Sequence, residues 1–302
     1  MGGGWAVPPG CHHKSMRAWL TTRIAGLSPR RRVFVAGMSV VITAAALLAG
    51  LQAGGVFSTQ PPSRPAASAR TDVVLVPGYG GSRQALDALA DRIRHTGMSA
   101  QVVTLPGNGT GDLTAQAAVL STYVNRALHA GAGRVDVIGY SAGGVVTRWW
   151  VTQDGGAQKV QRVITLGSPL NGTRTAAAGN AADPSACPMA CQELVPGSTL
   201  LTKLRAAPLG AKPGWLSLWT TDDQVVTPPD SARLTGAVNV PLQTVCRGVV
   251  IAHGGLPTSP LVIGIVLRAL RAGPLTAPRP ADCGALQRLG SGPTAEWPGD
   301  DR

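Results

Sequence analysis

The pentapeptide Gly139-Tyr140-Ser141-Ala142-Gly143 has the residue types and spacing of a nucleophilic serine held on a sharp turn. A serine that attacks a carbonyl must project clear of the backbone. The turn that lifts it out is strained and leaves room only for small neighbours. Gly139, Gly143 and Gly144 supply that smallness. In a chain with 39 glycines the pattern alone is weak. Its setting strengthens it, because a β-branched run ends at residue 138 and residues 142–153 read as a helix. An inert serine in a glycine-rich turn is the competing reading.

A serine hydroxyl is a poor nucleophile at neutral pH and needs a base. The chain has five histidines. His12 and His13 lie in the N-terminal segment, and His95 and His129 end helical patterns, where an imidazolium suits the helix dipole. A serine between a strand and a helix takes its acid and then its histidine from later in the chain. Only His253, in the loop 251–255, satisfies that order. The acid should end a strand between the two. The run 215–220 leads into Asp222 and Asp223, and either carboxylate could orient the imidazole. Adjacent side chains point to opposite sides, so only one of them can face His253. Asp183 and Asp230 sit among turn formers and read as turn or cap residues.

An attacked carbonyl develops negative charge, which two backbone N–H groups must hold. Ala142, next after the serine, is one expected donor. The other is Tyr79, in the loop Pro77-Gly78-Tyr79-Gly80-Gly81 after the first strand, where glycines let the backbone approach a substrate. No His/Cys/Asp/Glu set has metal-ligand spacing, so neither a catalytic metal nor a cofactor is expected.

Alternating elements must position these groups. Strands are expected at 72–76, 101–105, 134–139, 160–166, 215–220 and 238–242. Helices are expected at 82–95, 112–130, 142–153 and 259–272, with residues 168–213 irregular. Ser82 is a candidate N-cap of the first helix, and Asp112 or Thr114 of the second. Such alternation implies an α/β fold, a mainly parallel sheet of about six strands flanked by helices. The catalytic domain is placed at 72–273, preceded by a Pro/Ser-rich linker at 58–71. A Pro-rich tail at 274–302 is expected to be loosely ordered.

Residues 1–57 read as an address rather than a fold. A basic stretch ending in Arg30-Arg31-Arg32 precedes an apolar run at 33–51, and small residues follow, the order of an export signal. The run is also close to the roughly 20 residues that span a bilayer. It is therefore either removed on export or kept as an anchor that associates the protein with a membrane. Both put the body outside the cytoplasm. The formal charge of +12 invites a nucleic-acid reading, but six basic residues and no acid lie in residues 1–57, which leaves 21 basic against 15 acidic residues. No basic stripe is interleaved with aromatics, so no nucleic-acid partner is expected. The protein is expected to be a monomer.

Beyond Cys11 the body has four cysteines, Cys187, Cys191, Cys246 and Cys283, an even number behind an export signal. The favoured pairing is Cys187 with Cys191, a tight loop, and Cys246 with Cys283, which would tie the tail to the loop carrying His253. Free buried cysteines are the alternative.

Four segments, VVLVPGYGGS (73–82), DVIGYSAGGVVTRWW (136–150), VITLGSPLNGT (163–173) and TTDDQVVTPPDSARLTGAVNV (220–240), followed by His253, resemble bacterial lipases of the α/β-hydrolase superfamily. The nearest groups are the class-2 lipases and the secreted triacylglycerol lipases or esterases. The resemblance implies an α/β-hydrolase fold and cleavage of acyl ester or lipid substrates through Ser141. It selects Asp223 over Asp222, because the family's acid is followed by one residue and then an apolar pair, as in Asp223-Gln224-Val225-Val226. It also implies that Glu193–Ser198 borders the acyl pocket. Where the small lipases often carry His-Gly at the start of the oxyanion loop, this chain has Pro77-Gly78. Acyl transfer on the same residues, or an inactive hydrolase fold that binds lipid or a partner, are the alternatives.

Overall fold

The computed structural model describes residues 70–292. The expected address segment, most of the linker and the last ten residues lie outside that range. Six strands form one sheet: β1 (Thr71–Val76), β2 (Ser99–Val102), β3 (Arg134–Tyr140), β4 (Arg162–Leu166), β5 (Gly214–Trp219) and β6 (Val238–Pro241). They lie in the order β2-β1-β3-β4-β5-β6, and every pair is parallel. Parallel strands need crossovers that cover both faces of a sheet, so the inner strands read as continuous apolar runs. Val73, Val74, Leu75 and Val76 are all completely buried.

Alternation along a strand divides these side chains between two cores. Val73 and Leu75 pack with Leu86, Leu89 and Ile93 of α1 (Gln84–Arg94) and with α8 (Pro260–Ala269). Val74 and Val76 pack on the other face with α2 (Leu113–His129) and α3 (Ala142–Gln153). Fully burying one such side chain contributes about 1.5–3 kcal/mol, so both faces must be covered for the sheet to persist. Asp112 caps α2, accepting the N–H groups of Thr114 and Ala115. Helix α1 begins after Arg83 without a side-chain cap, so Ser82 does not take the role expected of it.

The chain lays β2 on one side of β1, then crosses to lay β3 on the other. At this reversal Val76 pairs with Gly139, Tyr140 with Leu166, and Leu166 with Leu218. The C-terminal ends of β1, β3, β4 and β5 are thereby aligned, and the loops leaving them share one edge. A crevice at such a switch point is where parallel sheets bind ligands.

Two regions differ from the sequence expectation. Residues 168–213 carry three short helices, α4 (Arg174–Ala182), α5 (Met189–Glu193) and α6 (Thr199–Ala206). Helix α4 buries no residue, so its Ala-rich sequence has no apolar stripe by which to recognise it. Leu194, Leu200, Leu201 and Leu204 anchor the remainder in the core beside α3. The tail expected to be loose forms α9 (Cys283–Ser291), packed against α8. Two glycines permit the contact: a Cβ on Gly264 would lie 2.0 Å from the Leu286 carbonyl oxygen, and one on Gly290 1.8 Å from that of Pro260. Between β6 and α8 lies a short helix, α7 (Leu242–Val245). Cys246, just after α7, is bonded to Cys283 at the start of α9, and Cys187 to Cys191. Both pairings match the sequence expectation.

Candidate active site

Ser141 sits between the last residue of β3 and the first of α3, with φ 53° and ψ −126°. It is the only non-glycine residue with positive φ among the described residues. Such a conformation is costly and persists only where its surroundings enforce it. Here the Ser141 N–H donates to the Leu166 carbonyl at 2.9 Å, and its carbonyl accepts from the Gly144 N–H at 3.0 Å. The close approaches explain the glycine spacing. A Cβ on Gly139 would lie 2.6 Å from the Gly144 Cα, one on Gly143 2.3 Å from the Val76 carbonyl oxygen, and one on Gly144 2.0 Å from the Ser168 hydroxyl. The pentapeptide is small because strand, helix and the β1 loop meet there.

Three of the singled-out side chains converge. The His253 Nε2 lies 3.0 Å from the Ser141 Oγ, and its Nδ1 lies 2.7 Å from the Asp223 Oδ2. None of the three is more than a tenth exposed. The other carboxylate oxygen of Asp223 accepts the N–H groups of Val225 at 2.9 Å and Val226 at 2.7 Å. Those bonds fix the carboxylate and give a physical reason for the Asp-x-Val-Val spacing. Thr173 clamps the same loop, donating its hydroxyl to the Val225 carbonyl and accepting the Thr227 N–H, each at 3.0 Å.

Asp222 points elsewhere. It accepts from the Gln243 side-chain amide at 3.1 Å and the Ile251 N–H at 3.3 Å, so it holds the backbone two residues before His253. Gln243 also donates to the Thr220 hydroxyl and the Val249 carbonyl, joining the end of β5 to the histidine loop. His95 caps α1, with Nδ1 2.7 Å from the Asp91 carbonyl oxygen, and His129 ends α2. Asp183 caps a short turn, and Asp230 lies in another.

Of the expected oxyanion donors, Ala142 is the first residue of α3, where an N–H has no partner within the helix. The β1 loop passes directly against the serine: a Cβ on Gly78 would lie 2.8 Å from the Ser141 Cβ. Tyr79 follows, half-exposed. No group of three His, Cys, Asp or Glu side chains suited to a metal occurs among the described residues. A basin of about 1080 Å³ lined by Arg134, Arg162 and Lys212 opens at the opposite end of the sheet and includes none of the converging side chains.

Two further supporting residues carried no sequence signal. The Arg148 guanidinium, buried on α3, donates to the carbonyls of Leu170 at 2.9 Å and Leu204 at 2.7 Å. It ties α6 and the turn after β4 to the helix behind Ser141. Burial, with repulsion from Arg205, lowers its pKa to about 10. Tyr140 donates its hydroxyl to the His253 carbonyl at 3.2 Å. Burial, and then the nearby Asp223 carboxylate, push the phenol up to about 12.

Gly167, just after β4, has φ +55°. A Cβ there would lie 2.4 Å from the Leu256 Cδ1, 3.2 Å from the His253 Nδ1 and 3.3 Å from the Asp223 Oδ2. Gly167→Ala is therefore expected to displace the imidazole and lower kcat about 100-fold, the scale of a 1 Å misplacement. Steady-state kinetics with a thermal melt check this. Parental kcat in a folded variant would contradict the packing described.

A family model described as palmitoyl protein thioesterase matches residues 72–206, a stretch that includes Ser141 and ends before Asp223 and His253. Among solved structures, Aspergillus fumigatus lipase B is similar with a TM-score of 0.60 at 19% identity, covering 74% of this chain and 60% of that one. The chain thus spans about 60% of the length of that lipase. Bacillus licheniformis lipase BlEst2 in its mature form is similar at 22% identity with a TM-score of 0.49, covering 57% of this chain and 83% of that one. No curated protein sequence matches the chain. The sheet order, the flanking helices and the likeness to lipase B make this an α/β-hydrolase fold.

Proposed function

We propose that the protein is a serine ester hydrolase that cleaves acyl esters through an acyl-enzyme on Ser141. The observation that carries this reading is the unbroken chain of contacts from Ser141 through His253 to Asp223. In the first step His253 Nε2 takes the serine proton as Oγ bonds to the ester carbonyl carbon. The N–H groups of Tyr79 and Ala142 receive the resulting oxyanion. Collapse breaks the carbon–oxygen bond to the alcohol, which leaves with the proton from His253. Water then repeats the sequence against the acyl-enzyme and releases the acid. Asp223 keeps the imidazole in the tautomer with hydrogen on Nδ1.

The surroundings favour an apolar acyl group. The exposed large hydrophobic residues among those described are Tyr79, Met189, Val225 and Val250. Of these, Tyr79 follows Gly78 on the loop that passes against Ser141, and Val225 donates its N–H to Asp223. The same chemistry opens thioesters, and the match to a family model described as palmitoyl protein thioesterase supports including them. Two disulfides suit an oxidising compartment, which supports a protein working outside the cytoplasm, either released or held at a membrane through residues 33–51. No helix among the described residues is long and apolar enough to cross a membrane.

A series of p-nitrophenyl esters, matched acyl thioesters and matched anilides tests the substrate class. Esters are expected to be cleaved at least about 100-fold faster than the anilides, because a phenolate leaves the tetrahedral intermediate far more readily than an anilide nitrogen does. Comparable anilide cleavage would overturn the ester assignment.

A further inference from the structure

Tyr140 occupies the variable position just before the serine, and its side chain leaves the strand on the side opposite α3. That turns it toward the core face covered by α1 and α8, and brings it under the histidine loop. Its hydroxyl donates to the backbone carbonyl of His253 at 3.2 Å. Its ring lies against the imidazole, with centroids 5.3 Å apart and planes tilted by 31°. One side chain therefore touches both the backbone and the ring of the histidine, and it is covalently adjacent to the serine.

A partly buried phenol needs a hydrogen-bond partner, and leucine or valine would fill the same face without that demand. The phenol is protonated, and so a donor, throughout the neutral range, and burial raises its pKa further. The other ties of the histidine loop act on other residues, among them the Gln243 amide on the Val249 carbonyl and the Gly255 N–H on the Ala252 carbonyl. Asp222 holds the loop two residues upstream through the Ile251 N–H, and Cys246 is bonded seven residues upstream. His253 itself opens a short 3-10 turn with no side-chain cap.

We infer that Tyr140 is a positioning residue that sets the His253 imidazole against Ser141, its hydroxyl holding the loop backbone and its ring limiting imidazole rotation. The inference rests on the serine hydrolase reading above and assigns a role to the residue between Gly139 and Ser141. In Tyr140→Phe the ring remains and the donor is lost. In Tyr140→Leu both are lost.

The test measures kcat, KM and the downfield proton resonance of the His253 Nδ1–H in the folded full chain, normalised by active-site titration. Tyr140→Phe is expected to lower kcat about three- to tenfold, the scale of one net hydrogen bond, with KM within about twofold. Tyr140→Leu should fall about 100-fold in kcat, and its imidazole resonance should broaden or move upfield as the ring loses its restraint. The phenylalanine variant should keep most of that resonance. Parental kcat and an unchanged resonance in both variants would overturn the inference. So would a lowered melting temperature with unchanged kcat per titrated site, which would mark Tyr140 as packing only. An inactive parent that fails to titrate would instead remove the serine hydrolase reading, so the two failures are distinguishable.

Discussion

Ser141→Ala is expected to lower ester cleavage by about 10⁶-fold, the loss seen when the nucleophile is taken from a serine–histidine–aspartate set. The variant should keep the parental circular-dichroism spectrum, because the deleted hydroxyl contributes only its contact with His253. The backbone bonds that hold the turn, Ser141 N–H to Leu166 and Gly144 N–H to Ser141, do not depend on that hydroxyl. His253→Ala should cost a similar factor, and the double variant little more than either alone, because the two groups act as a unit. Initial rates on a p-nitrophenyl ester check both. Near-parental turnover in a folded Ser141→Ala protein would contradict the mechanism.

Asp223→Ala is expected to lower kcat by about 10⁴-fold through loss of tautomer control. Its neighbour should behave differently. Asp222→Ala removes acceptors for the Gln243 amide and the Ile251 N–H, both only part-buried, so water can replace them. Loosening the loop that way should cost about tenfold or less, the scale of one or two net hydrogen bonds. The opposite ranking of the two variants would mean that Asp222 faces the imidazole. Kinetics of the pair on one ester decide between them.

Much of this site can be read from the chain before any coordinates. The glycine pentapeptide, a histidine late in the chain and a pair of acids at a strand end already single out Ser141, His253 and two candidates for the acid. The residues alone left Asp222 and Asp223 equivalent, and the family resemblance selected Asp223. The physical basis of that spacing emerges from the fold: the N–H groups of Val225 and Val226 close on the carboxylate. Strands β1, β3 and β4 were legible as short β-branched runs that end at glycine or proline, and β5 as a short apolar run. The edge of the sheet was less so. Strand β2 lies about two residues earlier than expected, because Val103 and Leu105 are buried as loop residues under α2.

What escaped were contacts that composition cannot encode. Gln243, Tyr140 and Arg148 are ordinary residues in ordinary elements, and only the fold brings their polar ends to the histidine loop or behind the serine. Helix α9 was hidden by the proline-rich stretch before it. It exists because Gly264 and Gly290 let two backbones touch and Cys283 fixes its start.

Fluorophosphonate labelling of the folded protein, with mass mapping of the adduct, tests the central claim most directly. The probe reacts only with a serine whose hydroxyl is activated by a base and whose oxyanion is held. One adduct per chain is expected, on the peptide carrying Ser141. It should be absent in Ser141→Ala and strongly slowed in His253→Ala. An unlabelled parental protein, or an adduct on a different serine that survives in Ser141→Ala, would contradict the account.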